Sequence, residues 1–323
     1  MPDTPLLAVR GLRTVFPLRA GGDGAAVDDI SFTLEAGATL GLVGESGSGK
    51  SVTALSLINL VPSPGRIAGG RVEFEGRDLL ALDETALRRI RGRRIGFVFQ
   101  EPMVALNPVF TIGDQIAETL AVHALASGAT ARKRAVEWLE AVRIPEPDRR
   151  AHAYPHQLSG GLRQRAMIAL ALCAEPSLVI ADEPTTALDV TVQAEILDLL
   201  RDLRTRLGLA LLLITHDLGV VAEMADHIAV MYGGRIVEQG PVTTVLQTPA
   251  HPYTRGLMAC MPGLAARLQA IPGTVPALGQ FPPGCRFANR CAERFSPCDV
   301  APPPDLPAGD NHLAACYLLE EGR

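Results

Sequence analysis

TLGLVGESGSGKS, residues 39–51, decides how the rest of the chain is read. Its first part, TLGLVG (39–44), is an unbroken apolar run of the kind buried on both faces of a parallel sheet. Its second part, GESGSGKS (44–51), has the spacing of a phosphate loop: glycine, four residues, then glycine, lysine and a hydroxyl residue. Between a strand and a helix, such glycines let backbone N–H groups wrap phosphate oxygens at the helix N-terminus. Gly44, Ser46, Gly47, Gly49, Lys50, Ser51 and Val52 are therefore candidate nucleotide contacts. Lys50 would place a point charge on the β and γ phosphates, and the Ser51 hydroxyl would ligate Mg²⁺. A chance Gly/Ser-rich turn would share the composition but lack the strand–loop–helix setting.

Three further apolar runs end in polar residues, as strands do at the ligand edge of a doubly wound sheet: RIGFVFQ (94–100), SLVIADEP (177–184) and ALLLITHD (210–217). The second ends in two carboxylates, which are costly to bury without a polar task. Asp182 would serve the Mg²⁺ shell, and Glu183 would orient or deprotonate the attacking water. A helix-capping acidic pair is the plainer reading of the same two residues. Gln100 and His216 stand at the ends of the other two runs; a lone His there is more often structural, and only the constellation raises His216, as a group able to contact a γ-phosphate.

Between Gln100 and Glu175 the pattern turns helical, as in ARKRAVEWLEAV (131–142) and GLRQRAMIALAL (161–172), with no convincing strand. A helical subdomain over about 101–175 is the expectation. Within it, LSGGLRQR (158–165) pairs two glycines at a helix start, a second piece of anion-binding equipment far from the first loop. A helix N-cap with a close approach would use the same residues. HIAVMYGGRIVEQG (227–240) predicts a hairpin turning at Gly233–Gly234. ISFTLEAG (30–37) predicts an earlier, half-exposed strand.

The net charge of −5 and the lack of a polybasic run argue against a nucleic-acid partner. No run is long enough to span a bilayer, and the start has no signal-peptide pattern. A place on the cytoplasmic side is expected. The main domain is expected to occupy 1–248. Nearly half of the 25 prolines lie beyond it, so 249–323 reads as a loop-rich extension with little core of its own. That extension carries Cys285, Cys291, Cys298 and Cys316 with gaps of five, six and seventeen residues. The spacing leaves zinc, an iron–sulfur cluster or free thiols open. Cys173 and Cys260 sit in apolar helical contexts and read as small core residues.

Taken in order, the phosphate loop, Gln100, LSGGLRQR, LVIADEP, TTALD (185–189) and His216 resemble the ATP-binding subunits of ABC transporters over residues 5–248. The resemblance implies an α/β, P-loop NTPase fold with a mixed sheet core, an antiparallel β part and a helical subdomain, followed by a small Pro/Cys-rich extension. It implies a head-to-tail dimer in which Ser159, Gly160 and Gly161 serve the partner's ATP, Asp189 forms a cross-dimer hinge, Phe16 stacks on adenine in place of the usual tyrosine, and Gln100 begins a loop that senses the γ-phosphate and the permease, with a place in the Mg²⁺ shell and in catalysis. Within the family, FVFQEPMVALNP (97–108), HPYTRGLMACMP (251–262) and GCRFANRC (284–291) look most like the D-type subunit of oligopeptide and dipeptide importers, with nickel importers sharing these segments. Implied partners are two permeases, an F-type ATPase subunit and an extracytoplasmic substrate-binding protein, at the cytoplasmic face of the inner or plasma membrane. The same resemblance implies a [4Fe–4S] cluster on the four tail cysteines, with zinc as the alternative. A soluble, non-transport ABC ATPase is the more distant reading.

Overall fold

The computed structural model describes residues 4–260 and 270–320; the last two residues of HPYTRGLMACMP lie outside them. The strands, in chain order, are β1 (Leu7–Pro17), β2 (Asp23–Leu34), β3 (Thr39–Val43), β4 (Arg66–Phe74), β5 (Arg77–Asp78), β6 (Ile95–Val98), β7 (Leu178–Asp182), β8 (Ala210–Thr215), β9 (His227–Tyr232), β10 (Arg235–Pro241), β11 (Leu306–Gly309) and β12 (His312–Ala314). The chain divides into two compact units, Met1–Ala81 with Leu213–Arg323, and Leu82–Leu212.

The first unit holds the phosphate loop. Its antiparallel sheet runs β2-β1-β4-β5, and β1 pairs with β2 from Leu7↔Leu34 to Pro17↔Asp23. Sequence reading found β2 but not β4, whose RIAGGRVEF is mostly exposed and broken by Gly69–Gly70. The second sheet of this unit runs β11-β12-β10-β9-β3. Every residue of β3 is buried, as its unbroken apolar run predicts. It pairs in parallel with β9, Leu40↔His227 to Val43↔Val230, while β9 and β10 form the expected antiparallel hairpin. That mixed arrangement agrees with the expected fold class. Gly233 and Gly234 turn the hairpin with φ of 55° and 85°, a region where a side chain costs energy. Gly41 has no room for a side chain: a Cβ there would stand 2.6 Å from Val221 of the helix Leu218–Met224.

The cysteine-bearing extension is less loop-like than its prolines suggest. Its β12 adds to the edge of β10 at Glu238↔Ala314 and Gln239↔Leu313. Tyr253 and Phe287 join Tyr232 and Val230 in one apolar cluster, with edge-on ring contacts Tyr232–Tyr253 at 4.7 Å and Tyr232–Phe287 at 5.2 Å. The extension thus borrows a core from the strands before it.

The second unit pairs β6 with β7 in parallel, Ile95↔Leu178 to Val98↔Ala181. Between Gln100 and Glu175 the described residues are helical or irregular, with helices Ile112–Val122, Gly128–Ala141 and Gly160–Leu172 the longest. Their starts are written in the sequence: Thr111 and Ser159 each cap by accepting a backbone N–H three residues on. The helix Val190–Leu207 opens on Asp189 and closes on Gly208, which takes the left-handed conformation at φ 63°. Its face of Ile196, Leu199, Leu200 and Leu203 is buried.

Candidate functional site

The phosphate loop is a tight ring of backbone. Gly44 and Gly49 have φ of 156° and 105°, and a Cβ on either would overlap a carbonyl oxygen, of Met231 and of Ala26 respectively. Glycine is required at both positions by this packing as well as by φ. The hairpin turn braces the loop, since Gly234 N–H donates to the Ser48 carbonyl at 2.8 Å. Lys50, 5% exposed, donates from Nζ to the carbonyls of Gly44 at 2.8 Å and Glu45 at 3.1 Å. Its charge is thereby held at the mouth of the loop, at the first turn of the helix Lys50–Leu57. Ser46 and Gly47 are exposed, Ser51 and Val52 half-buried. Phe16, near the end of β1, is half-buried with its ring edge over Gly65, where a Cβ would overlap it.

In the second unit, β7 carries Asp182, 5% exposed, to its carboxyl end. Glu183 follows with φ 46°, a left-handed conformation that a side chain occupies only at a cost of about 1–2 kcal/mol. Strain of this kind persists where the surroundings over-determine it. Here they do: Glu183 Oε2 accepts from Gln100 Nε2 at 3.0 Å and from Thr186 Oγ1 at 2.8 Å. Gln100 and Glu183, predicted separately from two strand ends, are brought together. Thr186 was missed; the signal was a hydroxyl three residues after the carboxylate, on the turn that returns toward it.

LSGG and TTALD both begin helices. Ser159 Oγ accepts from Leu162 N–H at 3.4 Å, and Asp189 Oδ1 from Val192 N–H at 3.0 Å, so within one chain both act as N-caps. Ser159, Gly160 and Asp189 remain exposed. A Cβ on Gly161 would stand 2.8 Å from Val192, while Gly160 has only Leu188, 3.6 Å away. Gly160 is therefore small without any crowding on its own chain to require it. His216 is exposed after β8, and Asp217 beside it caps the helix Leu218–Met224 through Gly219 N–H at 2.7 Å.

The ABC transporter profile matches residues 27–186, and the profile for the C-terminal region of oligopeptide/dipeptide transporters matches 237–298. A protein of Brucella melitensis biotype 1 named for peptide import and ATP binding is 51% identical over 336 residues, covering 99% of both chains. One of Brucella abortus strain 2308 with the same designation is 51% identical over 319 residues, covering 98% of this chain and 96% of that one. The chain belongs to the ABC transporter family, as an ATP-binding subunit. Solved ABC cassettes agree. A dimeric ATP-binding cassette in a post-hydrolysis state with ADP and phosphate has a TM-score of 0.63 at 29% identity, over 73% of this chain and 98% of that one. A cassette of the cbiONQ transporter complex of Clostridium perfringens has a TM-score of 0.64 at 26% identity, over 76% and 92%. ABC cassettes are ATPases, and this chain is one. Among the described residues no helix is long and apolar enough to cross a membrane.

The four cysteines of this ABC subunit's extension line a single cavity with His251, Phe287 and Tyr317. Burial pushes the Cys285 thiol up to about 11, and its neighbours Cys298, Cys316 and Cys291 add to the rise. Thiolate sulfur suits iron or zinc. Their arrangement does not: among the described residues no group of three or more His, Cys, Asp or Glu is set to hold a metal ion. The iron–sulfur expectation gains no support from the geometry. Cys173 is buried as expected, its thiol raised to about 12 by burial. Cys260 corrects the sequence reading: it is exposed, because it caps the end of the helix Pro252–Ala259 instead of lying within its apolar face.

Proposed function

We propose that this chain is the D-type ATP-hydrolysing subunit of a binding-protein-dependent peptide importer. The observation that carries the reading is the Glu183 carboxylate, strained at its backbone and fixed by Gln100 and Thr186 at the end of a buried strand. A carboxylate held in one orientation can position a water for in-line attack on a terminal phosphoryl group, which needs placement more than covalent chemistry. The loop glycines aim N–H groups at the phosphates, Lys50 adds the cation, and Phe16 offers a ring to adenine. On this reading Ser51, Gln100 and Asp182 would supply oxygen donors to Mg²⁺, a hard cation that when bound would neutralise charge building on the phosphates. His216 would meet the γ-phosphate.

The exposed, uncrowded Gly160 supports the second half of the reading, in which Ser159, Gly160 and Gly161 close over the ATP of a second, F-type subunit while Asp189 lies at the hinge. Closing and reopening of that dimer would move two permeases, supplied by a substrate-binding protein, at the cytoplasmic face of the membrane. The Brucella relatives' names favour peptides as cargo over nickel or another small solute, and over a soluble non-transport role. On this proposal the domain boundary falls near 248, with the helical subdomain at about 101–175 and the four-cysteine extension at 249–323. By the family resemblance alone, the extension would hold a structural [4Fe–4S] cluster or zinc. Anaerobic purification with neither iron nor stoichiometric zinc would remove that part alone.

Affinity purification of the tagged chain from native membranes in mild detergent tests the whole. Two polytopic permeases, a second ATPase and a binding protein are the expected company. Ribosomes or nucleic-acid enzymes without a permease would overturn the transport role.

A further inference from the structure

The second residue of the phosphate loop is an acid, Glu45, in a segment whose ligand carries several negative charges. An ionised carboxylate there opposes phosphate binding unless something cancels or removes it. Two residues from the far end of the chain hold it. Arg290 pairs with its carboxylate through both arms, Nη1 to Oε2 at 2.5 Å and Nη2 to Oε1 at 3.1 Å. Tyr253, fully buried, accepts the Glu45 backbone N–H on its hydroxyl at 2.8 Å. Arg290 is itself fixed: its side chain is 6% exposed, its Nε donates to the Pro272 carbonyl at 2.7 Å, and its guanidinium lies 5.7 Å from the Tyr232 ring centre and 6.0 Å from that of Phe287. A two-pronged, largely dehydrated pair of this kind is stronger and more directional than a surface ion pair.

We propose that Arg290, assisted by Tyr253, is a positioning residue of the nucleotide site: it pins the Glu45 carboxylate to the C-terminal extension and cancels its charge, so that the phosphate loop can accept ATP. The extension is on this view a structural part of the nucleotide site, and a chain lacking it keeps the loop sequence but not the loop's charge. The inference rests on the ATP-binding reading above.

The test is ATP titration of the full-length chain against Arg290→Met, Arg290→Lys and the double variant Arg290→Met/Glu45→Gln, with folding followed separately by thermal melting. Arg290→Met should weaken ATP binding on the order of tenfold, and ADP, with less charge, by a smaller factor. Removing the stranded carboxylate in the double variant should restore most of the affinity. Arg290→Lys keeps the charge without the two-pronged geometry and should fall between. If Arg290→Met fails to fold, the Lys variant carries the test, and its loss must also be relieved by Glu45→Gln. Wild-type affinity in folded Arg290→Met, or a loss that Glu45→Gln does not relieve, overturns the proposal. Absence of ATP binding by the unaltered chain would instead sink the nucleotide reading itself.

Discussion

Gln100 and Glu183, at the ends of two neighbouring parallel strands, meet in a 3.0 Å hydrogen bond from Nε2 to Oε2. Eighty-three residues apart in sequence, they form one polar unit because β6 and β7 pair in register, Val98 opposite Ala181. On the proposed reading, a residue that senses ligand and a residue that activates water would thereby be mechanically linked.

Thr186 completes that unit, so its loss should loosen the carboxylate without touching the phosphate loop. Thr186→Val is expected to lower kcat about tenfold with little change in ATP affinity, the signature of a contact that matters in the transition state. Thr186→Ser, which keeps the hydroxyl, should retain most activity. Steady-state kinetics of both variants checks the point.

Gly49 is constrained twice over, with φ 105° and the Ala26 carbonyl where a Cβ would go. Gly49→Ala should abolish measurable ATP binding and reduce stability by ~1–3 kcal/mol, as strain in a left-handed backbone does. Gly47, with φ 78° but open space around it, should tolerate alanine better. Paired titrations and melts of the two variants compare crowding with φ alone.

His251 should give the fold a pH limit. Burial, aided by Arg255, lowers its pKa from 6.5 to about 3, while its ring nitrogen accepts the Tyr253 N–H at 3.0 Å and its backbone N–H reaches Glu238. Between those two values the unfolded chain binds a proton that the folded chain refuses. Stability is therefore intact above pH 6.5 and falls as pH drops below it, roughly tenfold in the folding equilibrium per unit. Urea midpoints at pH 7.5 and 5 should differ accordingly, and His251→Asn, which keeps an acceptor at this helix start, should flatten the difference.

Asp28 gathers three arginines, Arg13 at 3.3 Å, Arg235 at 2.7 Å and Arg286 at 2.5 Å. Burial opposes its ionisation, but the bond from Arg235 and the nearby guanidiniums prevail and hold its carboxyl below the usual range. The Arg286 side chain is only 13% exposed and would be left charged without its partner by Asp28→Ala. A loss of roughly 3 kcal/mol is expected there, against under about 1 kcal/mol for Arg13→Ala, whose side chain is 56% exposed. Denaturant unfolding of the two variants distinguishes the buried pair from the surface one.

Much of this was legible beforehand, for identifiable reasons. β3, β7 and β8 declare themselves as apolar runs, the loop glycines by a fixed spacing and the helix starts by Thr111, Ser159 and Asp189. The Gly233–Gly234 turn was equally plain. What sequence could not give was pairing at a distance. Nothing in GCRFANRC says that Arg290 reaches a carboxylate 245 positions earlier, and nothing in HLA (312–314) says that it adds a strand to β10. The buried bond of His312 Nε2 to Glu238 Oε1, 2.7 Å long, helps set that edge and has no local signature. Cys260 was misread because an apolar context does not reveal that a helix is about to end.

The most direct measurement is ATP turnover by Glu183→Gln, purified with its associated subunits, beside ATP binding by the same protein. Turnover should fall on the order of a thousandfold while binding is retained, because the amide keeps the shape and loses the base. Undiminished turnover would contradict the assignment of Glu183 and, with it, the account of how this chain hydrolyses ATP.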